Sequence, residues 1–297
     1  MKTAIIGCGP GGAGAAIQLK KFDIEPVVFE RCMIGGLARN AWRINNYLGF
    51  PDGIPGEKFC KLMEEQLRKF DIEIRHEDVK LLDYGDPFTI ETNKGCYSFD
   101  VVIVASGTKP RMSPELASFY RRPERGLEER TLFEIYPILS SSGKRIAIIG
   151  SGDAAFDYSI NLATRGNDVF LLNCRNYEKA LRELKERVLA TPNISYKRGV
   201  EITDLHTEKE GITIAYRNAN RYAELHADYL VIATGREPNK DFYSSRVKMM
   251  EEKLLNDGLL HLVGDVKNKM YRQISIAMGD GVKAAMKIHR RLSGEGL

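Results

Sequence analysis

The sequence lacks several features that would indicate particular classes of protein. It has no CxxC pair, because its five cysteines are far apart, and no spacing of cysteine and histidine suggests zinc. No apolar run approaches the length of a membrane span. The formal net charge of +4 in 297 residues is too small and too scattered to indicate nucleic acid. We therefore expect no metal site, no membrane and no nucleic-acid partner.

The remaining composition is typical of a globular protein. Apolar residues make up 43% and charged residues 28% of the chain, which is ordinary usage. The length suggests about two domains, each large enough to bury its own core. Met1 leads directly into a predicted strand and leaves no room for a signal peptide. These observations predict a cytoplasmic protein.

A phosphate-binding signature occurs twice, as Gly7-Cys8-Gly9-Pro10-Gly11-Gly12 and as Gly150-Ser151-Gly152-Asp153-Ala154-Ala155. Each copy follows a short β-branched run and precedes a stretch that favours helix. In such a turn the first glycine permits the bend, the second lets the backbone approach a pyrophosphate, and the third position lets helix pack on strand. The free N–H groups at the helix start favour phosphate. The chain is therefore predicted to bind two dinucleotides.

The residues that would bind the two riboses differ. Glu30 ends the strand after the first turn, 23 positions after Gly7, and the same spacing from Gly150 leads to Asn173. A carboxylate repels a 2′-phosphate, whereas Asn173 with Arg175 and Lys179 nearby can accept one. The second site thus favours NADPH, and NADH remains an alternative.

The two halves repeat one order of elements: strand, glycine turn, helix, strand, hairpin, strand, glycine. The first hairpin is predicted over 88–92 and 96–99, and the second over 212–216 and 221–225. Amphipathic helices are predicted over 56–70, with Phe59, Leu62, Met63, Leu67 and Phe70 inward, and over about 273–292. The C-terminal strand and helix cannot form a domain alone, because a lone strand needs a sheet to join. We expect this C-terminal segment to complete the first domain. The pattern predicts an α/β fold of two Rossmann-like three-layer domains.

Two cysteines and a group of arginines are further candidates. Cys8 lies inside the first turn and is interpreted as a packed thiol, whereas Cys32 follows the ribose carboxylate and is a weak candidate for a redox role. The segment between the halves carries a basic cluster that would either dock an acidic carrier or be merely solvated; both interpretations remain open. This cluster comprises Arg111, Arg121, Arg122 and Arg125.

These motifs together resemble the low-molecular-weight thioredoxin reductase family over nearly the whole chain. The match includes the first turn and Glu30, and its remaining segments are Gly35-Gly36-Leu37, 46–51, Ala105-Ser106-Gly107, Ala233-Thr234-Gly235, Gly264-Asp265 and Tyr271-Arg272-Gln273. The resemblance implies a homodimer with FAD at the first turn and a nicotinamide cofactor at the second. It implies an FAD-binding domain of residues 1–112 and 242–297, into which an NAD(P)H-binding domain of residues 113–241 is inserted.

The resemblance also implies the residues of each site. The predicted FAD site comprises Gly7, Gly9, Pro10, Gly12, Glu30, Arg31, Gly36, Leu37, Asn46, Val79, Ala105, Ser106, Gly107, Gly264, Asp265, Arg272, Gln273, Ile274 and Ala277. The predicted NAD(P) site comprises Gly150, Gly152, Asp153, Ala154, Ala155, Asn173, Arg175, Lys179, Thr234, Gly235 and Arg236. No catalytic acid, base or nucleophile is required for hydride transfer between the two cofactors.

One departure from the family changes the expected function. Members of the family place CxxC shortly before the second turn, but Arg130 and Phe133 stand at those positions here. Neither side chain exchanges disulfides. We expect an NAD(P)H-dependent flavin oxidoreductase whose acceptor is a ferredoxin or flavodoxin, a quinone or another small molecule. Two alternatives remain: a flavin-binding sensor or assembly protein without nicotinamide turnover, and a disulfide reductase that uses Cys32 or Cys8 alone.

Overall fold

The computed structural model describes residues 1–121, 126–208 and 211–294. Its chain divides into two units. The first unit contains residues 1–39, 44–109 and the C-terminal part from Glu237, and the second contains 40–43 and 110–236. These limits differ by a few residues from the boundaries expected from the sequence, and the assignment of 40–43 to the second unit has no counterpart in the sequence motifs.

The strands and helices are numbered in chain order. The strands are β1 (Thr3–Ile6), β2 (Pro26–Phe29), β3 (Glu73–Arg75), β4 (Val79–Tyr84), β5 (Phe88–Thr92), β6 (Cys96–Phe99), β7 (Val101–Val104), β8 (Thr108–Pro110), β9 (Thr131–Leu132), β10 (Arg145–Ile149), β11 (Asp168–Asn173), β12 (Ile194–Arg198), β13 (Val200–Glu208), β14 (Gly211–Asn218), β15 (Arg221–Ala227), β16 (Tyr229–Ile232), β17 (Arg236–Pro238) and β18 (Leu260–Leu262). The α-helices are α1 (Pro10–Lys20), α2 (Gly56–Lys69), α3 (Pro114–Tyr120), α4 (Asp153–Ala163), α5 (Arg182–Ala190), α6 (Ser245–Asn256), α7 (Asp265–Asn268) and α8 (Ile274–Ser293).

A parallel sheet in the order β18-β7-β1-β2-β3 forms the centre of the first unit. Its middle strands β1 and β7 are buried along their whole length, as their β-branched sequences predict. The C-terminal strand β18 pairs with β7 through Leu260 and Val102. This pairing confirms that the C-terminal piece closes the first sheet. The antiparallel β4-β5-β6 sheet lies in the same unit.

The second unit repeats this plan. Its parallel sheet has the order β12-β11-β10-β16-β9, and the antiparallel β13-β14-β15 sheet accompanies it. Each unit is therefore a Rossmann-like α/β layer structure. Asn40, although distant in sequence, belongs here: its side-chain oxygen accepts from the backbone N–H groups of Ile135 (3.1 Å) and Tyr136 (2.9 Å).

The predicted helices form nearly where expected, with one correction on the surface of α2. α2 buries Phe59, Met63 and Leu67, which recur every fourth residue on one face. Leu62, predicted to face inward, is 41% exposed, because it lies at the flank of that face. α8 packs on α1 through small residues, among them Gly281. Its length agrees with the predicted final helix.

Candidate functional site

The first glycine turn leaves open space at the start of α1. Gly7 has φ +102°, and a Cβ there would lie 2.5 Å from the carbonyl oxygen of Ala105, so only glycine fits. A Cβ on Gly9 would meet nothing within 4 Å. A Cβ on Gly12 would overlap the carbonyl oxygen of Gly7. Gly7 and Gly12 are therefore required by close backbone contacts, and the role of Gly9 in the approach to a pyrophosphate stays a prediction.

Helix α1 begins without a side-chain cap. Gly9 is its N-cap residue, Pro10 is its first residue, and no acidic side chain lies in its first turn. The first N–H groups of a helix lack intrahelical partners, and the helix dipole adds positive potential there. The open space over Gly9 together with these free donors suits an anion such as a pyrophosphate.

Glu30 lies directly beside this turn. It is buried, and its two carboxylate oxygens accept separate backbone N–H groups, from Cys8 at 2.8 Å and from Cys32 at 2.9 Å. Each oxygen keeps capacity for a further donor. The carboxylate is thus fixed at the end of β2, where it can accept a hydrogen bond from a ribose hydroxyl.

Further residues of the predicted FAD site gather around the same turn. A Cβ on Gly36 would lie 3.4 Å from the Cα of Gly9, and one on Gly11 would lie 3.1 Å from the carbonyl oxygen of Ala277. Gly264 in turn faces Ala277, since a Cβ on Gly264 would lie 3.3 Å from the Cβ of Ala277. The structure therefore brings the glycine turn together with Gly36, Gly264 and Ala277, which are far apart in the sequence.

Two hydrogen bonds connect other predicted residues. The amide of Asn46 donates to the side-chain oxygen of Gln273 at 2.8 Å, and the hydroxyl of Ser106 donates to the carbonyl oxygen of Asn239 at 2.6 Å. The chain turns at Gly107, which has φ +65°. Of the other predicted residues, Arg31 and Arg272 are exposed, whereas Leu37, Val79, Asp265 and Ile274 are half-buried. Contact of these residues with a cofactor stays a prediction.

The second glycine turn has the same arrangement, except that Ala155 stands where the first turn has its third glycine. A Cβ on Gly150 would lie 2.7 Å from the Cβ of Ala155 and 2.6 Å from the carbonyl oxygen of Ala233, so the missing Cβ makes room for that alanine. A Cβ on Gly152 would meet nothing within 4 Å, and Gly152 is the uncapped start of α4. Ala154 is exposed in the first turn of α4. Open space again lies over a helix N-terminus.

The loop after β11 is attached to this turn. The carboxylate of Asp153 accepts the backbone N–H of Leu181 at 2.8 Å, and the backbone N–H of Lys179 donates to the carbonyl oxygen of Ser151 at 2.7 Å. The side chains of Lys179 and Arg175 are exposed. Both cations thus lie on a loop whose backbone is held against the glycine turn.

Asn173 organises the start of that loop. It is fully buried, its amide donates to the backbone oxygen of Tyr177 (3.1 Å) and to the hydroxyl of Tyr196 (3.0 Å), and its oxygen accepts from the backbone N–H of Arg175 (2.8 Å). The side chain is thus fixed by the chain itself. A direct contact of Asn173 with a ribose stays a prediction, and the geometry gives it the role of positioning Arg175.

Arg236 takes part in a polar network with a buried carboxylate. Its guanidinium contacts Glu134, whose other oxygen accepts from the amide of Asn40 (2.6 Å) and the hydroxyl of Tyr158 (3.1 Å). Burial raises the pKa of Glu134, and the charge of Arg236 opposes this rise. Thr234 donates to the carbonyl oxygen of Arg111 at 2.8 Å, and Gly235 has φ +140°. Nucleotide contact by these residues stays a prediction.

The cysteines differ in access. Cys8 and Cys60 are buried, and burial raises the pKa of the Cys8 thiol far above its usual range. Cys32, Cys96 and Cys174 are exposed. In the described ranges, no group of three acidic, histidine or cysteine side chains could hold a metal, and no helix could cross a membrane. Of the basic cluster, Arg122 and Arg125 lie outside the described residues.

Comparison with known proteins identifies the family. The family model described as pyridine nucleotide-disulphide oxidoreductase matches residues 1–281. The chain belongs to this family. The chain is a pyridine nucleotide-disulphide oxidoreductase similar to thioredoxin reductases, and the family uses FAD and NAD(P)H. The open N-termini of α1 and α4, one in each unit, fit the pyrophosphates of these two dinucleotides. The fixed carboxylate of Glu30 fits the ribose of the first.

Several relatives match this member of the family along most of its length. The thioredoxin reductase of Streptomyces clavuligerus is 28% identical, over 97% of this chain and 93% of the relative. The NADPH-dependent thioredoxin reductase 3 of Arabidopsis thaliana is also 28% identical, over 99% of this chain, which spans only 59% of that relative. The crystal structure of Lactococcus lactis thioredoxin reductase in its FR conformation has a TM-score of 0.82 at 24% identity and covers 99% of both chains. That similarity shows the shared fold.

Proposed function

We propose that the protein is an FAD-dependent NAD(P)H oxidoreductase that passes electrons to an external acceptor without a dithiol of its own. The observation that carries this proposal is that α1 and α4, one in each unit, begin without a side-chain cap. At both N-cap residues, Gly9 and Gly152, there is open space. One site is then available for each cofactor. When bound, NAD(P)H would supply the hydride and FAD would accept it.

In this proposal the role of the protein is to bind the two cofactors and to orient them. The N–H groups at the starts of α1 and α4 bind the two pyrophosphates, and Glu30 accepts a hydrogen bond from the adenosine ribose. Gln273 holds Asn46 in the first unit, so both are fixed where the family resemblance implies the flavin end of FAD. Such preorganisation contributes by proximity and orientation rather than by acid or base chemistry.

The sequence supports an acceptor outside the chain. Arg130 and Phe133 stand where the resemblance implies the two cysteines, and the ring of Phe133 packs against that of Tyr120 with centroids 5.8 Å apart. Neither group can form a disulfide with a substrate. We propose a ferredoxin or flavodoxin, a quinone or another small molecule as the acceptor, and a cytoplasmic homodimer as the working form.

Anaerobic rapid mixing tests the proposal. The purified FAD-loaded protein is mixed with NADPH or NADH, and the flavin absorbance is followed. Bleaching by at least one nucleotide is expected, with reoxidation when a competent acceptor is added from a panel of ferredoxin, flavodoxin, quinones and disulfides. An unchanged spectrum with both nucleotides would instead support a flavin-binding sensor or assembly protein.

A single-cysteine disulfide reductase is the second candidate function. Cys32 favours it, because this thiol is exposed and its backbone N–H is bound by Glu30, beside the first turn. Cys8 is fully buried and is a poorer candidate. If Cys32→Ser abolishes disulfide turnover while the matched exposed variant Cys96→Ser does not, the second candidate is correct. Equal turnover in both variants removes Cys32, and unaltered turnover in Cys8→Ser as well removes this candidate function.

A further inference from the structure

An exposed cation that no sequence motif indicates, Arg198, ends the edge strand of the parallel sheet in the second unit. β11 and β12 are neighbouring parallel strands, and their last residues, Asn173 and Arg198, are register partners. Register partners in a parallel pair project from the same face of the sheet. Arg198 therefore lies beside the ribose position at the carboxyl edge of the sheet, where ligands of this fold class bind.

The chain after β11 turns towards Arg198. The backbone N–H of Gly199, the residue after Arg198, donates to the carbonyl oxygen of Arg175 at 3.0 Å. The same residue, Arg175, is also held through its backbone N–H, which donates to the side-chain oxygen of Asn173. Two arginines are thus held at adjacent backbone positions, one at the end of β12 and one in the loop that follows β11.

Neither arginine is neutralised by an acid in residues 1–121, 126–208 and 211–294. Arg175 donates to the hydroxyl of Tyr177 at 2.5 Å, which is a neutral partner, and the Arg198 side chain is exposed without an ion pair there. Glu178, an acid in the same loop as Arg175, already accepts from the hydroxyl of Tyr196 (2.9 Å) and pairs with Lys185 (3.2 Å). The charge of Arg198 reaches this group, since it lowers the pKa of Tyr196 against the larger rise from burial.

We propose that Arg198 and Arg175 together bind the 2′-phosphate of NADPH, so that Arg198 determines specificity for NADPH over NADH. This inference rests on the proposed function of the second unit as a nicotinamide nucleotide site. Guanidinium groups suit this task because they donate paired hydrogen bonds to phosphate oxygens. An acid at position 173 would repel the phosphate, but the buried amide of Asn173 carries no charge.

Binding of two adenosine nucleotides to the FAD-loaded protein tests this assignment without turnover. Adenosine 2′,5′-bisphosphate carries the 2′-phosphate and 5′-AMP lacks it, so the ratio of their dissociation constants isolates that group. In isothermal titration the wild type is expected to prefer the bisphosphate by at least about tenfold. Arg198→Gln is expected to reduce this preference about tenfold and to change 5′-AMP binding less than about twofold.

Lys197 provides a matched control. It is the preceding residue of β12, and its ammonium donates to the hydroxyl of Tyr216 at 2.6 Å, on the opposite side of the strand. Lys197→Gln removes the same charge and should leave the preference unchanged. Arg198→Lys should keep part of it, and raising the salt concentration should weaken it in the wild type. The lysine variant and the salt series test the assignment even if Arg198→Gln folds poorly.

Three outcomes would overturn the proposal: a wild-type protein that binds both nucleotides equally or binds neither, an unchanged preference in Arg198→Gln, or an equal loss of both nucleotides. Flavin bleaching distinguishes failure of the proposed oxidoreductase function from failure of the Arg198 assignment. If NADPH or NADH bleaches the flavin but the preference is absent or insensitive to Arg198, only the assignment of Arg198 is wrong. If neither nucleotide bleaches the flavin, the oxidoreductase proposal is wrong whatever the titration gives.

Discussion

Gly281 of α8 lies so close to Gly11 of α1 that a Cβ on Gly281 would overlap the carbonyl oxygen of Gly11. The same Cβ would be 2.8 Å from the backbone nitrogen of Ala15. Both contacts are with backbone atoms, which cannot rotate away as a side chain can. The position of α1, and hence of the open helix start at Gly9, depends on this close approach.

We therefore expect Gly281→Ala to separate α1 from α8. The overlap should destabilise the protein by about 1–3 kcal/mol, as overpacking of a fixed contact does, and should weaken FAD binding. Urea unfolding and fluorescence titration of the apoprotein with FAD measure the two effects.

Gly279 supplies the control, because it lies on the same helix and a Cβ there would meet nothing within 4 Å. Gly279→Ala should stabilise the protein by roughly 0.5–1 kcal/mol, since alanine favours helix over glycine. If both variants are equally stable, the contact with Gly11 does not limit the helix spacing.

The two glycine turns can be separated by substitution. Neither Gly9 nor Gly152 has an atom within 4 Å of a built Cβ, so valine at either position should leave the fold intact. Gly9→Val should nevertheless yield colourless protein, because its side chain occupies the space of the FAD pyrophosphate. Gly152→Val should keep FAD but weaken NADPH binding at least about tenfold. Flavin absorbance and nucleotide titration measure these outcomes, and a fully flavinated Gly9→Val would contradict the assignment.

The sequence predicts the turns and the central strands well because their patterns are local. The hairpin strands β5 and β6 match the predicted ranges, and close backbone contacts require glycine at positions 7 and 12 of the first turn. The edge strand β12 escapes prediction, because its sequence Ile-Ser-Tyr-Lys-Arg has no continuous apolar run, and Arg198 is overlooked with it. Helix α6 is also overlooked, since of its residues only Val247 and Leu254 are buried.

Pairing between distant segments is not readable from one sequence. Asn40 follows a glycine-rich loop of the first half, yet it satisfies backbone N–H groups near residue 135 in the second unit. The spacing of Asn173 predicts a ribose ligand, but it does not indicate that the buried amide also donates to Tyr177 and Tyr196. Such satisfaction of buried polar groups depends on tertiary contacts that local patterns do not specify.

His261 should make the first unit sensitive to acid. It is buried on β18, its Nε2 faces the carbonyl oxygen of Gly258 at 3.2 Å, and burial lowers its pKa to about 4 from 6.5. Between these values the unfolded chain binds a proton that the folded chain does not, so the free energy of unfolding falls as the pH falls. The loss should approach roughly 3 kcal/mol at pH 4.

Urea unfolding of His261→Gln between pH 4 and 8 measures this contribution. The variant should lack this loss in acid, so its free energy of unfolding relative to that of the wild type should rise by up to roughly 3 kcal/mol between pH 7 and pH 4, whatever its stability at neutral pH. His76→Gln, the same change at an exposed histidine, should retain the wild-type slope. A wild-type slope in His261→Gln would show that His261 is protonated in the folded protein.

Asp157 of α4 should have the opposite effect in the second unit. Burial, reinforced by the charge of Asp153, raises its pKa to about 7 from 3.8, although its carboxylate accepts the backbone N–H of Trp42 at 2.9 Å. Between pH 4 and 7 the folded chain therefore holds a proton that the unfolded chain releases. The free energy of unfolding should fall as the pH rises through this range and level off above pH 7.

Asp157→Asn tests this because the amide is uncharged at every pH and keeps an oxygen to accept the N–H of Trp42. At pH 8 the variant should be more stable than the wild type by up to roughly 4 kcal/mol, and near pH 4 the two should agree. Asp168→Asn, at an exposed position in the same unit, should change the free energy of unfolding by no more than about 0.5 kcal/mol at either pH. Because His261 and Asp157 give slopes of opposite sign, the double variant should be nearly independent of pH where each single variant is not.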